Sequence, residues 1–179
     1  MSLRFTKMHG LGNDFMLLDL IQQDSPVPIQ HIPKLSDRHK GVGFDQLLII
    51  EPASIIGSDF NYRIYNADGT EAQHCGNGAR CVARYLKDQG LSSKTKIALG
   101  MPTGNIIQCE LMEDGQVTVD MGEPITYPQA IPFLAGKEAL TYSLDLSNGQ
   151  SIEIAALSMG NPHAIYQVES VVTAPVAEL

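Results

Sequence analysis

Cys75 is the residue around which chemistry can be assembled. It lies in Tyr65-Asn-Ala-Asp-Gly-Thr-Glu-Ala-Gln-His-Cys-Gly-Asn-Gly-Ala-Arg80, where a strand pattern ends at Asn66, Asp68-Gly69 makes a turn and helical spacing begins near Asn77. A thiol at the mouth of a helix faces unpaired N–H groups and the positive end of the dipole. Cysteines so placed have pKa values lowered to about 3.5–7.5, which predicts a thiolate population at neutral pH. Gly76 and Gly78 remove side chains where a bound group must approach the backbone. Together these residues describe an anion-binding pocket with a reactive sulfur at its edge. The plainer reading, a small buried residue opening a helix, is outweighed by the flanking glycines and polar cluster. Cys81, six positions on, is turned about 240° around the helix and reads as core, as does Cys109 in an apolar run.

Other chemistries fit these residues less well. Four residues separate Cys75 from Arg80 where a cysteine phosphatase loop has five. Gly76-Asn-Gly-Ala-Arg-Cys81 is a dinucleotide fingerprint without its third glycine and without a buried strand before it. No Cys-x-x-Cys or His-x-x-x-His spacing occurs, so no metal site is expected. A cysteine–histidine hydrolase with His163 as base stays open, because the sequence alone does not bring the two together. His9, His31 and His39 read as loop or surface residues.

The elements that must position Cys75 follow from periodicity. Phe60, Tyr62 and Ile64 alternate with Asn61, Arg63 and Tyr65, which is strand period. Similar runs lie at 15–20, 46–50, 95–99, 105–111, 117–121, 142–146, 152–156 and 164–168, with hairpin turns at Asp114-Gly115 and Asn148-Gly149. From Asn77 to Gln89 the period changes: Ala79, Val82, Ala83 and Leu86 recur at three and four, and Gly90 follows as a left-handed cap. Ser25–Pro33 reads as a loop leading to a weaker helix through Lys34–Arg38. One long helix among many short strands implies a sheet curled around it rather than alternating βαβ units. Pro124, Pro128 and Pro132 follow Met121 before strands resume, so a domain boundary is placed there.

Composition excludes several roles. Twelve lysines and arginines against 20 acids give a formal charge of −8, with no basic run, so neither nucleic acid nor an anionic membrane is an expected partner. No apolar stretch reaches the roughly 18 residues of a membrane span, and no secretory signal pattern opens the chain. Three scattered cysteines do not make a disulfide framework and suit a reducing compartment, so a soluble cytoplasmic protein is expected.

The chain also repeats itself. Gly10-Leu-Gly-Asn-Asp-Phe-Met-Leu-Leu-Asp19 and Leu157-Ser-Met-Gly-Asn-Pro-His-Ala-Ile-Tyr166 share Gly-Asn, one residue, a ring and a strand. Cys75 stands 62 residues after Asn13. The same interval from Asn161 points to about position 223, past Leu179. A real echo makes this chain part of a longer two-domain protein.

Taken together, Lys7-Met-His-Gly-Leu-Gly-Asn-Asp-Phe15, Asp37-Arg-His-Lys-Gly-Val-Gly-Phe-Asp-Gln46, Tyr65-Asn-Ala-Asp-Gly69, Cys75-Gly-Asn-Gly-Ala-Arg80 and Met159-Gly-Asn-Pro-His163 closely resemble the diaminopimelate epimerase family. The resemblance implies an α+β fold of two pseudo-symmetric domains, each a mixed, mostly antiparallel sheet curled around a central helix, with the site in the cleft between them. On that pattern 1–120 is the N-terminal domain and 121–179 an incomplete second one. It implies an isomerase that needs no cofactor, neither pyridoxal nor metal. Two cysteines on opposite faces of the α-carbon exchange a proton and interconvert LL- and meso-2,6-diaminopimelate, on the bacterial route to lysine and cell-wall peptide. Carried over residue by residue, Cys75 falls on the first catalytic cysteine, and Asn13, Gln46, Asn66, Gly76, Asn77 and Asn161 on substrate ligands. His163 falls on a histidine that tunes the thiols. The family's second cysteine, its Glu-Arg pair and a further anion site do not occur within these residues, so this chain alone is expected to be inactive. A related paired-cysteine racemase and a non-catalytic binding module with an inert Cys75 are the alternatives. The small-molecule substrate is the implied partner, and the oligomeric state, a homodimer included, is left open.

Overall fold

Residues 3–24 and 29–176 are described by a computed structural model. By its contacts the chain divides into two compact units between Met121 and Gly122. In the first unit, β1 (Thr6–Gly10) and β2 (Asn13–Asp19) form a hairpin closed by Leu11 and Gly12. Their φ values of 53° and 86° suit a tight two-residue turn that follows the twist of the strands. A short helix α1 (Ile32–Ser36) precedes β3 (Gln46–Pro52), which runs parallel to β2 and antiparallel to β4 (Phe60–Asn66). The two-residue β5 (Glu71–Ala72) pairs with β4 ahead of α2 (Gly76–Asp88). The last strands are β6 (Lys96–Gly100), parallel to β4, then β7 (Ile106–Leu111) and β8 (Val117–Asp120), each antiparallel to the strand before it.

The sheet order is β1-β2-β3-β4-β6-β7-β8, and α2 touches both terminal strands of that order. A flat sheet cannot do this; the sheet is curled around the helix. Strand alternation feeds two cores. Phe15, Leu17, Leu48, Ile50, Tyr62 and Ile64 face α2 and its Ala79, Val82, Ala83 and Leu86, whereas Met16, Leu18, Leu47, Ile49 and Tyr65 face outward onto Ile32 and Phe44. Each such aliphatic burial stabilises by roughly 1.5–3 kcal/mol.

The departures from expectation are local. β1 and β5 were not among the expected strands. α2 starts at Gly76 and ends at Asp88, with Gly90 at φ 67° as its cap requires. The weaker helix occupies Ile32–Ser36 instead of Lys34–Arg38, because Pro33 fits a first turn and Asp37 turns extended at φ −57°, ψ 121°. Of the loop expected from Ser25, residues Ser25–Pro28 lie outside the described residues.

The second unit holds β9 (Tyr142–Asp145), β10 (Ser151–Ser158) and β11 (Pro162–Ile165), antiparallel in the order β11-β10-β9. Gly149 turns the β9–β10 hairpin at φ 82°. The last strand begins at Pro162 rather than Ala164, because the turn after Ser158 brings Pro162 directly opposite it. Ile131, Ile154 and Ala156 are buried, and Phe133 meets Tyr142 edge to face at 4.8 Å. Among the described residues no helix is long and apolar enough to cross a membrane.

Candidate active site

Sheet register gathers three of the expected ligands. Phe15 pairs with Gln46 and Gln46 with Asn66, while Asn13 opens β2 two residues before Phe15. All three are therefore at one end of the sheet. Alternation places them with Phe15, Leu48 and Ile64, on the face that α2 covers.

The start of α2 supplies the sulfur. Cys75 is its N-cap, extended at φ −152°, ψ 103°, and its Sγ accepts the Gly78 N–H at 3.3 Å. Asn13 Nδ2 lies 3.9 Å from the same sulfur. The Cys75 carbonyl accepts the first helical N–H, from Ala79 at 2.9 Å, and the buried Tyr62 hydroxyl at 3.3 Å, which fixes the cap to β4. A Cβ at Gly78 would come within 3.0 Å of Leu48 Cδ2 and 3.4 Å of the Cys75 sulfur, so glycine there keeps the thiol's surroundings open. Asn77 Oδ1 accepts the Arg80 guanidinium; arginine only donates, so the Asn77 NH2 group must point away from it.

The electrostatics correct one expectation. Burial pushes the Cys75 thiol above its ordinary range, and the Gly78 and Asn77 amides and the Arg80 charge pull it down without cancelling that. A cap that sits between β4, Asn13 and Leu48 loses more hydration than the helix mouth returns. The resting group is a neutral thiol. Cys81 and Cys109 lie in the core as expected, pushed up by burial to about 11 and about 12. Half-buried His74 is pushed down by burial, and its buried Nδ1 has no partner among the described residues.

Two supporting networks were not anticipated. Asp14, beside Asn13, takes two bonds from Arg38 at 2.7 and 3.2 Å and one from Lys7 at 2.7 Å, and Arg38 also reaches Asp45 at 2.7 Å. Arg38 foremost, then Lys7, holds the Asp14 carboxyl well below the usual carboxylate range. This cluster ties the β1–β2 hairpin to the segment leading into Gln46. The second network joins Gln46 Nε2 to Asn66 Oδ1 at 2.9 Å and Asn66 Nδ2 to Thr70 Oγ1 at 3.1 Å. Opposed charges at Lys7/Asp14 and Arg38/Asp45 are visible in the sequence, but their pairing depends on which strands become neighbours.

Asn161 and His163 belong to the second unit, in the turn and first residues of β11. His163 Nε2 lies 3.1 Å from Asn161 Oδ1, and the imidazole is exposed. Among the described residues no group of three or more histidines, cysteines and carboxylates is placed to hold a metal ion.

The curled sheet around one helix is the fold seen in solved proline racemase-like and epimerase structures. The chain resembles a hydroxyproline epimerase from Agrobacterium vitis with bound trans-4-hydroxy-L-proline, at TM-score 0.70 and 14% identity over 96% of this chain and 53% of that one. A probable proline racemase from Agrobacterium radiobacter K84 matches at TM-score 0.68 and 12% identity, over 97% and 54%. At these identities the likeness is one of fold. Sequence narrows it: the profile of the family described as diaminopimelate epimerase matches residues 5–127. The diaminopimelate epimerases of Stutzerimonas stutzeri (strain A1501) and Pseudomonas aeruginosa (strain UCBPP-PA14) are each 55% identical over all 179 residues. This chain belongs to the diaminopimelate epimerase family. It spans 64% of the length of those relatives.

Proposed function

We propose that the protein containing this chain is a cytoplasmic, cofactor-independent epimerase that interconverts LL- and meso-2,6-diaminopimelate. Cys75 serves one face of the reacting carbon, and a second thiol, from the part of the relatives' length not spanned here, serves the other. One sulfur takes the α-proton as the opposite one delivers its own, so protons balance and only configuration changes. Residues 1–120 form the first domain and 121–179 the start of the second. Gly76 and Asn77 hold the α-carboxylate at the helix mouth, where negative charge grows as the proton leaves. Asn13, Gln46, Asn66 and Asn161 are substrate ligands, and His163 tunes the thiols.

The observation that carries this reading is the Cys75 cap, its sulfur held by Gly78 N–H and Asn13 beside the Gln46–Asn66 pair on one face. The raised thiol fits a resting acid, SH, that gives its proton to a carbanion and becomes the base for the reverse reaction. The test is α-proton exchange in deuterated water with LL-diaminopimelate. The full-length protein is expected to exchange and invert, its Cys75→Ala variant to lose at least 1000-fold, and the 179-residue chain alone to show no inversion. Full activity of the Cys75→Ala variant would remove the thiol from the mechanism.

A further inference from the structure

Arg80 puts a positive charge where the helix dipole is already positive. The first turn of α2 holds no acidic residue, and helical side chains lean toward the N-terminus, so residue 80 covers the turn that Cys75 opens. Its guanidinium reaches back to donate to Asn77 Oδ1 and is held there, half-buried. A cation at this end opposes the dipole and is unfavourable by itself. Among the described residues no ion pair neutralises it, whereas Arg84, one turn on, is paired with Asp88 at 2.9 Å. Around this turn the sheet presents Asn13 to the Cys75 sulfur, Leu48 beside Gly78, the Tyr62 hydroxyl to the Cys75 carbonyl, the Cys109 thiol to the Ala79 carbonyl and the Met121 thioether beside Gly76, none of them charged. Tyr62, Cys109, Cys81 and His74 are all pushed by burial toward their neutral forms. Of the three cysteines Cys75 alone is not buried, so its sulfur is the group at this turn that can become an anion.

We propose that Arg80 is a positioning residue of the helix mouth: clamped by Asn77, its guanidinium supplies the counter-charge for the sulfur anion that Cys75 becomes on giving up its proton. In that step the S–H bond breaks, its electron pair stays on sulfur and the proton goes to the carbanion. A negative charge thus appears at the cap where an unneutralised cation already stands. The Arg80 charge favours the ionised form of Cys75, in the same sense as the Gly78 and Asn77 amides. An arginine suits the place because it stays charged at any working pH and its planar fork is oriented by the bond to Asn77. The part of this that concerns turnover rests on the epimerase reading above; the pairing of Arg80 with the Cys75 anion does not.

The test is the ionisation of Cys75, followed by its 13Cβ shift against pH in the 179-residue chain, with backbone amide shifts confirming the fold of each variant. Arg80→Gln keeps a donor for Asn77 without the charge, and should raise the Cys75 midpoint by roughly one unit. Arg80→Met, which drops both charge and donor, should do at least as much. Arg80→Lys keeps the charge and should stay within about a third of a unit of the native chain. In the full-length protein, Arg80→Gln should move the acid limb of the epimerisation pH profile upward by the same amount, in the direction that uses Cys75 as base. An unmoved Cys75 midpoint in Arg80→Gln and Arg80→Met, or an equal displacement in Arg80→Lys, overturns the proposal. A displaced midpoint with an unmoved acid limb leaves the pairing standing and takes Cys75 out of the base role, which counts against the epimerase reading instead.

Discussion

At Cys75 two effects oppose each other, and the fold decides between them. A helix mouth favours the thiolate, but loss of water from a capping sulfur packed against the α2 core favours the thiol, and burial is the larger. Alkylation of Cys75 by a small neutral reagent should therefore follow a pH midpoint above about 8.5, the ordinary thiol value. A midpoint below 7.5 would contradict the burial argument. The same direction at Cys81 and Cys109 makes a stability statement. A thiol whose folded-state pKa is raised binds its proton more tightly in the native chain. Its stabilisation is whole below about 8.5 and drains away as pH climbs toward the folded values of about 11 and about 12. Urea midpoints should be flat from pH 7 to 8 and fall steadily from pH 9 to 10.5.

Among the elements, the β1–β2 hairpin carries an avoidable cost. Leu11 has φ 53° and is 88% exposed, so its side chain gains nothing from a conformation that disfavours it. The left-handed region costs an ordinary residue roughly 1–2 kcal/mol, and asparagine tolerates it. Leu11→Asn should stabilise the chain by about 1 kcal/mol, read as a higher urea midpoint at unchanged slope; no gain would mean the turn is not strained. This hairpin also marks where sequence reading stops. Phe60 to Tyr65 alternates because Phe60, Tyr62 and Ile64 face the α2 core while Asn61 and Arg63 lie on the other face, and α2 is legible because its apolar stripe packs inside the sheet. β1 is short, shows half-buried Thr6 and Met8 against exposed Lys7 and His9, and ends in Gly-Leu-Gly rather than an Asn-Gly turn. Cys75, Asn13, Asn66 and the glycines stand out by type and spacing. The Arg38–Asp14 and Gln46–Asn66 contacts do not, since each joins segments far apart in sequence that only the fold makes neighbours. The sulfur's raised pKa is likewise invisible there, because a helix mouth is a local feature and hydration is not.

Across the whole molecule, protection from solvent is unevenly distributed. In the first unit β3 is buried on both faces through Leu47, Leu48, Ile49 and Ile50, and α2 buries most of its circumference against β1, β2, β3, β7 and β8. In the second unit β11 is exposed along its length, β9 is nearly so, and only Ile154, Ala156 and Ser158 of β10 are buried. Opening free energy follows buried apolar contact, so the two units should open separately instead of as one cooperative body. Native-state hydrogen exchange is expected to show amides of β3, β4 and α2 exchanging at least 100-fold more slowly than those of β9, β10 and β11 at pH 7. A single common rate for the slowest amides of both units would show one cooperative unit and defeat the prediction. The slow group would contain the strands that carry Gln46 and Asn66 and the helix that Cys75 caps.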